Sequence, residues 1–594
     1  YYDIPYPADK LDMIAVPDFA WGAMENLGAV TYRETTLLVD RKRATQDEMA
    51  RVADVISHEL AHMWFGDLVT MKWWNGIWLN EAFATFMELK CVDAFRPDWK
   101  RWLSFAHFRA KSMDVDGLTS TRPVEFEVVS PAEANAMFDT LTYGKGSAVL
   151  RMLEQYLGEE TFRRGISRYL KKHAYGNTET DDLWVALEAE SGEPVGEIMS
   201  GWIYQGGYPQ LTVTPAEGGF HLGQRQFRFL GGGESLWQVP ALYRSGTEES
   251  KVVVSDEVFV AAAGKDFLLN SGGDGFYRVN YPSELLDELA ADLPELAAAE
   301  RYTLIADTWA NVLAGKTPAE DFMELVGALD GESEPDVWGV AVGGLAELGR
   351  VISSDDRPGL QRLVRGLVGE QAAEMGWVPT AGESDLQRQL RGLLLRTLGN
   401  LGDDPATQAT ARDVFDQSIA SPASVDADVA AAATTIVAAN GAVAEFDRFM
   451  ELRSDANSPQ DEVRFLRAAA AVPEKETAAR LVEMILAGEI RSQDANWVLA
   501  VLLGHRDTGA AVWALVKENW DAVLASMPPQ NRRRMLDLIM YRSEPEIAAD
   551  IETWFESHSV GGADKFTAQQ LERLRIRVGL REREGERLGT VLAD

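Results

Sequence analysis

The sequence predicts a multidomain, mainly α protein: an α/β region first, then a small β-sandwich, then a C-terminal α-helical solenoid. Three observations predict it. The chain has 594 residues, too many for one hydrophobic core, so roughly three or four domains are expected. From Pro209 to Tyr281 short apolar runs alternate with glycine-rich turns, the texture of short strands. From Pro282 onward, Ala-, Leu- and Val-rich stretches of ten to sixteen residues alternate with short Gly, Asp and Pro turns, as in stacked antiparallel helix pairs. The boundaries that follow are 1–208, 209–281 and 282–594.

Residues 1–20 are punctuated by Pro5, Pro7 and Pro17 and read as extended, with strands at Asp12–Val16 and Ala29–Arg33. Thr45 and Glu48 form a capping box for a helix that runs to Met63. A second apolar helix carries Phe83, Phe86 and Leu89. Pro97 opens a third, where Trp99, Trp102, Phe105, Ala106 and Arg109 recur at helical spacing as a core stripe. Ser130-Pro131-Ala132-Glu133 is a helix start, with Ser as N-cap, Pro first inside and Glu three after the cap. Further helices are expected at Ser147–Leu157, around Glu160–His173 and, capped by Thr180, at Asp182–Ser191. Strands are expected at Leu211–Thr214, Phe227–Leu230, Trp237–Tyr243, Lys251–Ser255, Asp266–Asn270 and Phe276–Tyr281. Thr317-Pro318 and Ser458-Pro459 open helices of the solenoid.

The chemistry gathers between Ser57 and Glu88. His58-Glu59-Leu60-Ala61-His62 is an H-E-x-x-H segment with helical flanks. Residues four apart share a helical face, so both imidazoles reach one ion. Zinc suits them, because it binds neutral imidazole and carboxylate and keeps a fourth position for water. Glu59 follows His58 directly, where a carboxylate serves as general base. Eighteen residues separate His62 from Glu81, which stands in the first turns of the second helix and offers a third ligand. Glu88, seven residues on and nearly on the same face, accepts the outer N–H of a ligand histidine. One Zn2+ per chain is therefore expected. The competing reading is a surface helix that happens to carry two His and a Glu.

The H-E-x-x-H segment, the spacer, Trp78-Leu79-Asn80-Glu81, Gly22-Ala23-Met24-Glu25-Asn26 (G-A-M-E-N) and Phe138 to Gly146 (FDTLTYGKG) fall in order within residues 1–208. Together they resemble the bacterial-type zinc aminopeptidases of the aminopeptidase N family, the gluzincin metallopeptidases. The resemblance implies a thermolysin-like α/β zinc peptidase domain at 1–208 and a HEAT/armadillo-like solenoid that closes over the site. It assigns Glu25 to the α-amine of the substrate and lays Gly22, Ala23, Met24 and Asn26 along the peptide like an added strand. It makes Tyr143 the donor to the oxyanion. Taken alone, the Gly22–Asn26 turn would be structural. The implied function is zinc-dependent aminopeptidase activity, in which a metal-activated water hydrolyses the N-terminal residue from peptides with a free N-terminus. Family members also carry an N-terminal β-rich domain before the segment resembling Tyr1–Pro7, with a second contact to the amine. The sequence is therefore expected to belong to a longer polypeptide, or to work with a separate N-terminal chain.

The net charge of −36 disfavours nucleic acid and anionic membranes as partners and attracts cationic ligands. Cys91 is the single cysteine, so no intrachain disulfide is possible, and a buried small residue is expected there. With seven histidines and no cysteine cluster, this composition fits a reducing cytoplasm. The longest apolar run, Val429 to Ala439, is too short to span a bilayer, and no signal peptide is visible. Three rival functions remain. A thermolysin-type endopeptidase would share the zinc helix without needing Glu25. An epoxide hydrolase is a side branch of the same family. A catalytically silent peptide-binding scaffold would not need His58, Glu59, His62, Glu81 and Tyr143 intact.

Overall fold

A computed structural model describes residues 1–262 and 267–593. Helix accounts for 61% of the chain, so the protein is mainly α, with small sheets and an all-helical C-terminal region. Its residues form two compact units. One comprises Tyr1–Ile14, Met24–Val30 and Asp54–Leu329; the other comprises Ala15–Ala23, Thr31–Ala53 and Asp330–Asp594.

The chain opens with β1 (Asp12–Val16), β2 (Ala23–Met24) and β3 (Ala29–Arg33), a sheet of order β1-β3-β2. Helix α1 (Gln46–His62) is followed by β4 (Val69–Met71) and α2 (Trp78–Phe95). Every residue of α2 from Trp78 to Met87 is buried, so this stretch is enclosed on all sides, its polar Asn80, Glu81 and Thr85 included. After it come α3 (Arg101–Asp116), α4 (Pro131–Ala136), α5 (Gly146–Leu157), α6 (Glu159–His173), β5 (Gly176–Thr178), α7 (Thr180–Ser191) and α8 (Val195–Tyr204). β4 pairs in parallel with β5.

Local capping signals fare unevenly. Ser130 accepts the N–H of Glu133 (3.3 Å) and starts α4. Pro97 opens only a short 3-10 turn; Lys100 is left-handed (φ 47°), and α3 begins after it. Thr180 does not cap α7. Glu179 occupies that position, its N–H bonded to Asp182 (3.0 Å), while the Thr180 hydroxyl is buried on Trp78 Nε1 (3.0 Å) and Glu125. Cys91 is exposed on α2 rather than buried, because the buried face of that last stretch is carried by Leu89 and Val92.

Two small sheets follow. One has the order β10-β7-β6-β12 and the other β11-β8-β9, from β6 (Pro209–Ala216), β7 (Gly219–Gln226), β8 (Val239–Ser245), β9 (Glu248–Val254), β10 (Glu257–Ala261), β11 (Phe267–Leu269) and β12 (Arg278–Asn280). Phe220 of β7 stacks on Phe267 of β11 at 4.3 Å between ring centres. Phe227–Leu230, expected as a strand, forms none; Phe227 and Phe229 are buried core residues outside the ladders. β7 and β10 were not among the expected strands, although β10 reads EVFVA, rich in strand formers. β7 reads GFHLGQRQ, poor in β-formers, and is held by pairing with β6 and β10; strand propensity yields to such pairing. Of the expected strand Asp266–Asn270, Asp266 lies outside the described residues. Helices α9 (Ser283–Ala291), α10 (Ala298–Leu313) and α11 (Ala319–Gly327) complete the first unit. Thr317 does not cap α11, whose N-cap is Pro318.

In the second unit the Thr45–Glu48 capping box is present, with Thr45 N–H on Glu48 Oε2 (2.9 Å) and Glu48 N–H on Thr45 Oγ1 (3.2 Å). Helices run from α12 (Pro335–Val351) and α13 (Arg357–Met375) to the last, Asp564–Val591. Their core includes Phe415, Ile436, Phe446, Phe449, Leu499 and Trp513. Ser458 accepts the N–H of Asp461 (3.1 Å) and starts the helix Pro459–Ala471. Among the described residues no helix is long and apolar enough to cross a membrane.

Candidate metal centre

Helix periodicity puts His58 and His62 on one face of α1, and the buried start of α2 brings Glu81 to them. Three ligand atoms form a triangle. His58 Nε2 and His62 Nε2 are 3.1 Å apart, and Glu81 Oε2 lies 3.4 and 3.3 Å from them. A tetrahedral zinc with bonds near 2.0 Å needs ligand atoms about 3.3 Å apart. The outer nitrogens settle the tautomers. His58 Nδ1 donates to Glu88 (2.8 Å) and His62 Nδ1 to the carbonyl of Phe65 (2.9 Å). Since neither partner has a hydrogen to give, both Nε2 atoms turn lone pairs toward each other and toward a carboxylate. That arrangement calls for a cation in the middle. Without one, protons must serve. Burial pulls His62 down, but Glu81 outweighs it and raises its pKa to about 9. Burial would raise Glu81, yet His62 and His58 hold it down at about 2. A divalent ion replaces those protons, so this donor set fits zinc.

Glu59 sits beside the triangle, 5% exposed, and its Oε2 has no hydrogen-bond partner. Burial pushes its pKa up to about 7 against the pull of His58 and His62. Glu25 joins the same place: its carboxylate, that of Glu59 and an imidazole nitrogen of His62 lie within 4.8 Å of one another. Of the neighbours of Glu25, Met24 and Asn26 are exposed in the same unit. Gly22 and Ala23 belong to the second unit, where the Gly22 carbonyl accepts from Arg33 N–H and Thr36 Oγ1 (both 2.9 Å).

Tyr143 lies in a π-helical turn, Leu141–Lys145, a geometry common at functional sites. Its ring stacks on His58 at 6.1 Å. Burial, then the carboxylates of Glu81, Glu25 and Glu59, hold its pKa well above the phenol range, so it keeps its proton to donate. The flanking residues explain how the turn is held. A Cβ at Gly144 would meet Ser112 Oγ at 2.1 Å, and one at Gly146 would meet Ala82 Cβ at 2.6 Å. The turn therefore presses onto α3 and α2 only because both residues are glycine. Between them Lys145, fully buried, pairs with the fully buried Asp116 (2.8 Å). It also donates to the carbonyl of Gly207 (2.9 Å), and Asp116 accepts the Gly207 N–H (2.7 Å). Sequence reasoning missed this pair; a lysine between two glycines beside a site residue was the signal available.

Comparison with known proteins agrees with this geometry. Residues 1–202 match the Peptidase family M1 domain, and residues 267–576 match the ERAP1-like C-terminal domain. "Aminopeptidase M1-A" of Oryza sativa subsp. japonica is 34% identical over 627 residues, covering 100% of this chain and 70% of the rice protein. "Aminopeptidase M1" of Arabidopsis thaliana is 32% identical, covering 97% of this chain and 69% of the plant protein. "Puromycin-sensitive aminopeptidase" of Caenorhabditis elegans is 37% identical over 517 residues, 83% of this chain and 54% of the worm protein. The family read from the motifs is the family found, in both halves of the sequence and over its full length: the chain belongs to peptidase family M1.

Proposed function

We propose that this M1-family chain is a zinc aminopeptidase that releases the N-terminal residue of peptides. His58, His62 and Glu81 hold the ion, Glu59 moves the proton, Tyr143 donates to the oxyanion, Glu25 takes the substrate ammonium and Glu88 orients His58. The observation that carries the reading is the convergence of Glu25 on the Glu59–His62 side of the ligand triangle. A carboxylate fixed there has a proton-rich partner in a peptide's α-ammonium, and it measures one residue from the scissile bond. When bound, zinc supplies Lewis acidity toward a water and the scissile carbonyl. Glu59, with one oxygen free of any partner, takes a proton from the attacking water and passes it to the leaving amine. Tyr143 donates its phenolic hydrogen to the carbonyl oxygen as negative charge develops. Met24, exposed beside Glu25, lines the pocket of the first side chain.

In this reading residues 1–208 are a thermolysin-like catalytic domain, 209–281 a β-sandwich and 282–594 a HEAT/armadillo-like solenoid. The two small sheets bridged by Phe220 and Phe267 support the second, and the unbroken helical run supports the third. A cytoplasmic setting and peptides as the partners, not nucleic acid or membrane, complete the proposal; the net charge of −36 supports it. Hydrolysis of a panel of aminoacyl fluorogenic amides, with and without chelator, tests the whole. Silence toward every amide, or activity indifferent to the chelator, rejects it.

Two consequences arise here. Tyr143→Phe removes one donor and little volume, so kcat should fall by about 2.7–4 kcal/mol of transition-state stabilisation, with KM little changed. Steady-state kinetics check it, and an effect confined to KM would reduce Tyr143 to a positioning role. Glu25→Ala should raise KM for free-amine peptides about tenfold or more, since a charged hydrogen bond is worth roughly 1.5–3 kcal/mol. N-acetylated peptides should be indifferent to the change. If both classes suffer alike, an endopeptidase reading gains and the ammonium role is lost.

A further inference from the structure

Away from the metal centre, the second unit gathers positive charge in one place. Arg350 comes from the end of α12, Arg357 from the start of α13, and Arg506 from the turn between the helices Ser492–Gly504 and Gly509–Glu518. Arg542 precedes the helix Pro545–Phe555, and Arg581 lies on the last helix. Hydrogen bonds hold four of the five, all but Arg357, to these loops. Arg350 Nη1 donates to the Gly504 carbonyl (2.9 Å) and Arg542 Nη1 to the Arg506 carbonyl (3.3 Å). Arg581 donates to Val351 O and Ser543 Oγ (both 3.2 Å) and to the Arg350 carbonyl.

These carbonyls occupy few of the donors, since each guanidinium carries five N–H groups. Carboxylates are scarce beside them. Asp507 pairs with Arg506 (2.9 Å) and stands 3.9 Å from Arg357, and Glu544 stands 3.7 Å from Arg542. Glu347 is taken by Arg577 (3.0 Å). This is notable in a chain of net charge −36, where acidic partners are plentiful. Arg542 is 1% exposed and its Nε has no partner, and the Nε of Arg357 has none either. Burial first, then repulsion from Arg506 and Arg581, depresses Arg357; burial, with Arg350 and Arg581 adding to it, depresses Arg542. His505 sits among them. Its Nδ1 accepts the N–H groups of Asp507 (3.3 Å) and Thr508 (3.4 Å), so Nε2 carries a hydrogen and becomes one more donor. Arg506 and Arg357 keep side-chain exposures of 44% and 31%, which leaves the cluster open to solvent.

We propose that Arg350, Arg357, Arg506, Arg542 and Arg581, around His505, form a binding site for a tetrahedral oxyanion dianion such as inorganic phosphate. Guanidinium forks match such oxygens in pairs, and a bound dianion would satisfy the unused N–H groups while relieving the mutual repulsion. The arginines also tie the loops at 351–357, 504–508 and 541–544, so the ion would clamp the meeting point of those segments.

The test is titration calorimetry of the 594-residue, zinc-loaded chain with inorganic phosphate against sodium chloride of matched ionic strength. Saturable one-site binding is expected with phosphate and none with chloride. The double variant Arg357→Gln/Arg506→Gln uses the two accessible arginines. It should bind phosphate about tenfold more weakly or worse while unfolding at the parent temperature without phosphate. Should that variant unfold early, Arg357→Lys/Arg506→Lys keeps both charges, and weakened binding in it still shows that paired donors are used. Equal heats with chloride, or phosphate binding unchanged in the glutamine variant, would overturn the proposal; the latter would place the ion elsewhere, the metal centre included.

Discussion

Glu59→Gln should keep zinc at the parent level and lose about a hundred- to ten-thousand-fold in kcat, the range for removal of a general base. The substitution preserves shape and hydrogen-bonding length and changes only the ability to take a proton. The ligand triangle of His58, His62 and Glu81 does not include Glu59, so its 3.1, 3.3 and 3.4 Å edges stay as they are. Nor does Glu59 hold the fold together at Oε2, which has no hydrogen-bond partner to lose. In the metal-free site burial pushes its pKa up to about 7, toward the range where a base both accepts and returns a proton. Metal content by inductively coupled plasma mass spectrometry, read beside kcat, separates this from a ligand loss: His62→Ala should lose the metal itself. A Glu59→Gln enzyme with full zinc and near-parent turnover would remove Glu59 from the chemistry.

Lys145→Met should destabilise the turn that carries Tyr143 by about 3–5 kcal/mol, the cost of leaving a buried charge without its partner. Asp116 and Lys145 are both fully buried and 2.8 Å apart. Methionine fills the volume but leaves the Asp116 carboxylate with only Gly207 N–H and the Thr121 hydroxyl. Because Lys145 closes the π-helical turn Leu141–Lys145, the loss should reach Tyr143 as a fall in kcat. Hydrogen exchange of the amides at 141–147 reads the effect without requiring that both compact units unfold in one step. Adding Asp116→Leu should restore much of the protection, since replacing both members of a buried pair by apolar residues is often neutral. Unchanged exchange and unchanged kcat in Lys145→Met would show that the turn is held by Gly144 and Gly146 alone.

What could be read in advance divides along the range of the forces involved. The imidazoles of His58 and His62 share a face because a helix repeats every 3.6 residues, and their spacing is a property of five consecutive positions. The Thr45–Glu48, Ser130 and Ser458 caps are likewise bonds between residues three apart. Ser-Pro-x-Glu and H-E-x-x-H therefore carry their geometry with them. Thr180 shows the limit even of local rules: a hydroxyl suited to capping is instead drawn to Glu125 and Trp78, far away in the chain.

By itself, then, the sequence determined the family, the candidate metal-binding pair on α1 and the candidate roles of Glu59 and Glu81 from short motifs whose spacing is local, and the mainly α class from the helical texture of its second half. The tertiary structure alone decided that Glu25 lies within 4.8 Å of Glu59 and His62, that Tyr143 sits in a π-helical turn wedged by two glycines against Ser112 and Ala82, and that Lys145 finds Asp116. It also decided that Cys91 faces outward and that GFHLGQRQ becomes a strand between two partners. The reason is physical: periodicity and capping act between neighbours along the backbone, whereas burial, close approach and ladder pairing depend on which distant residues arrive alongside, and no window of sequence contains them.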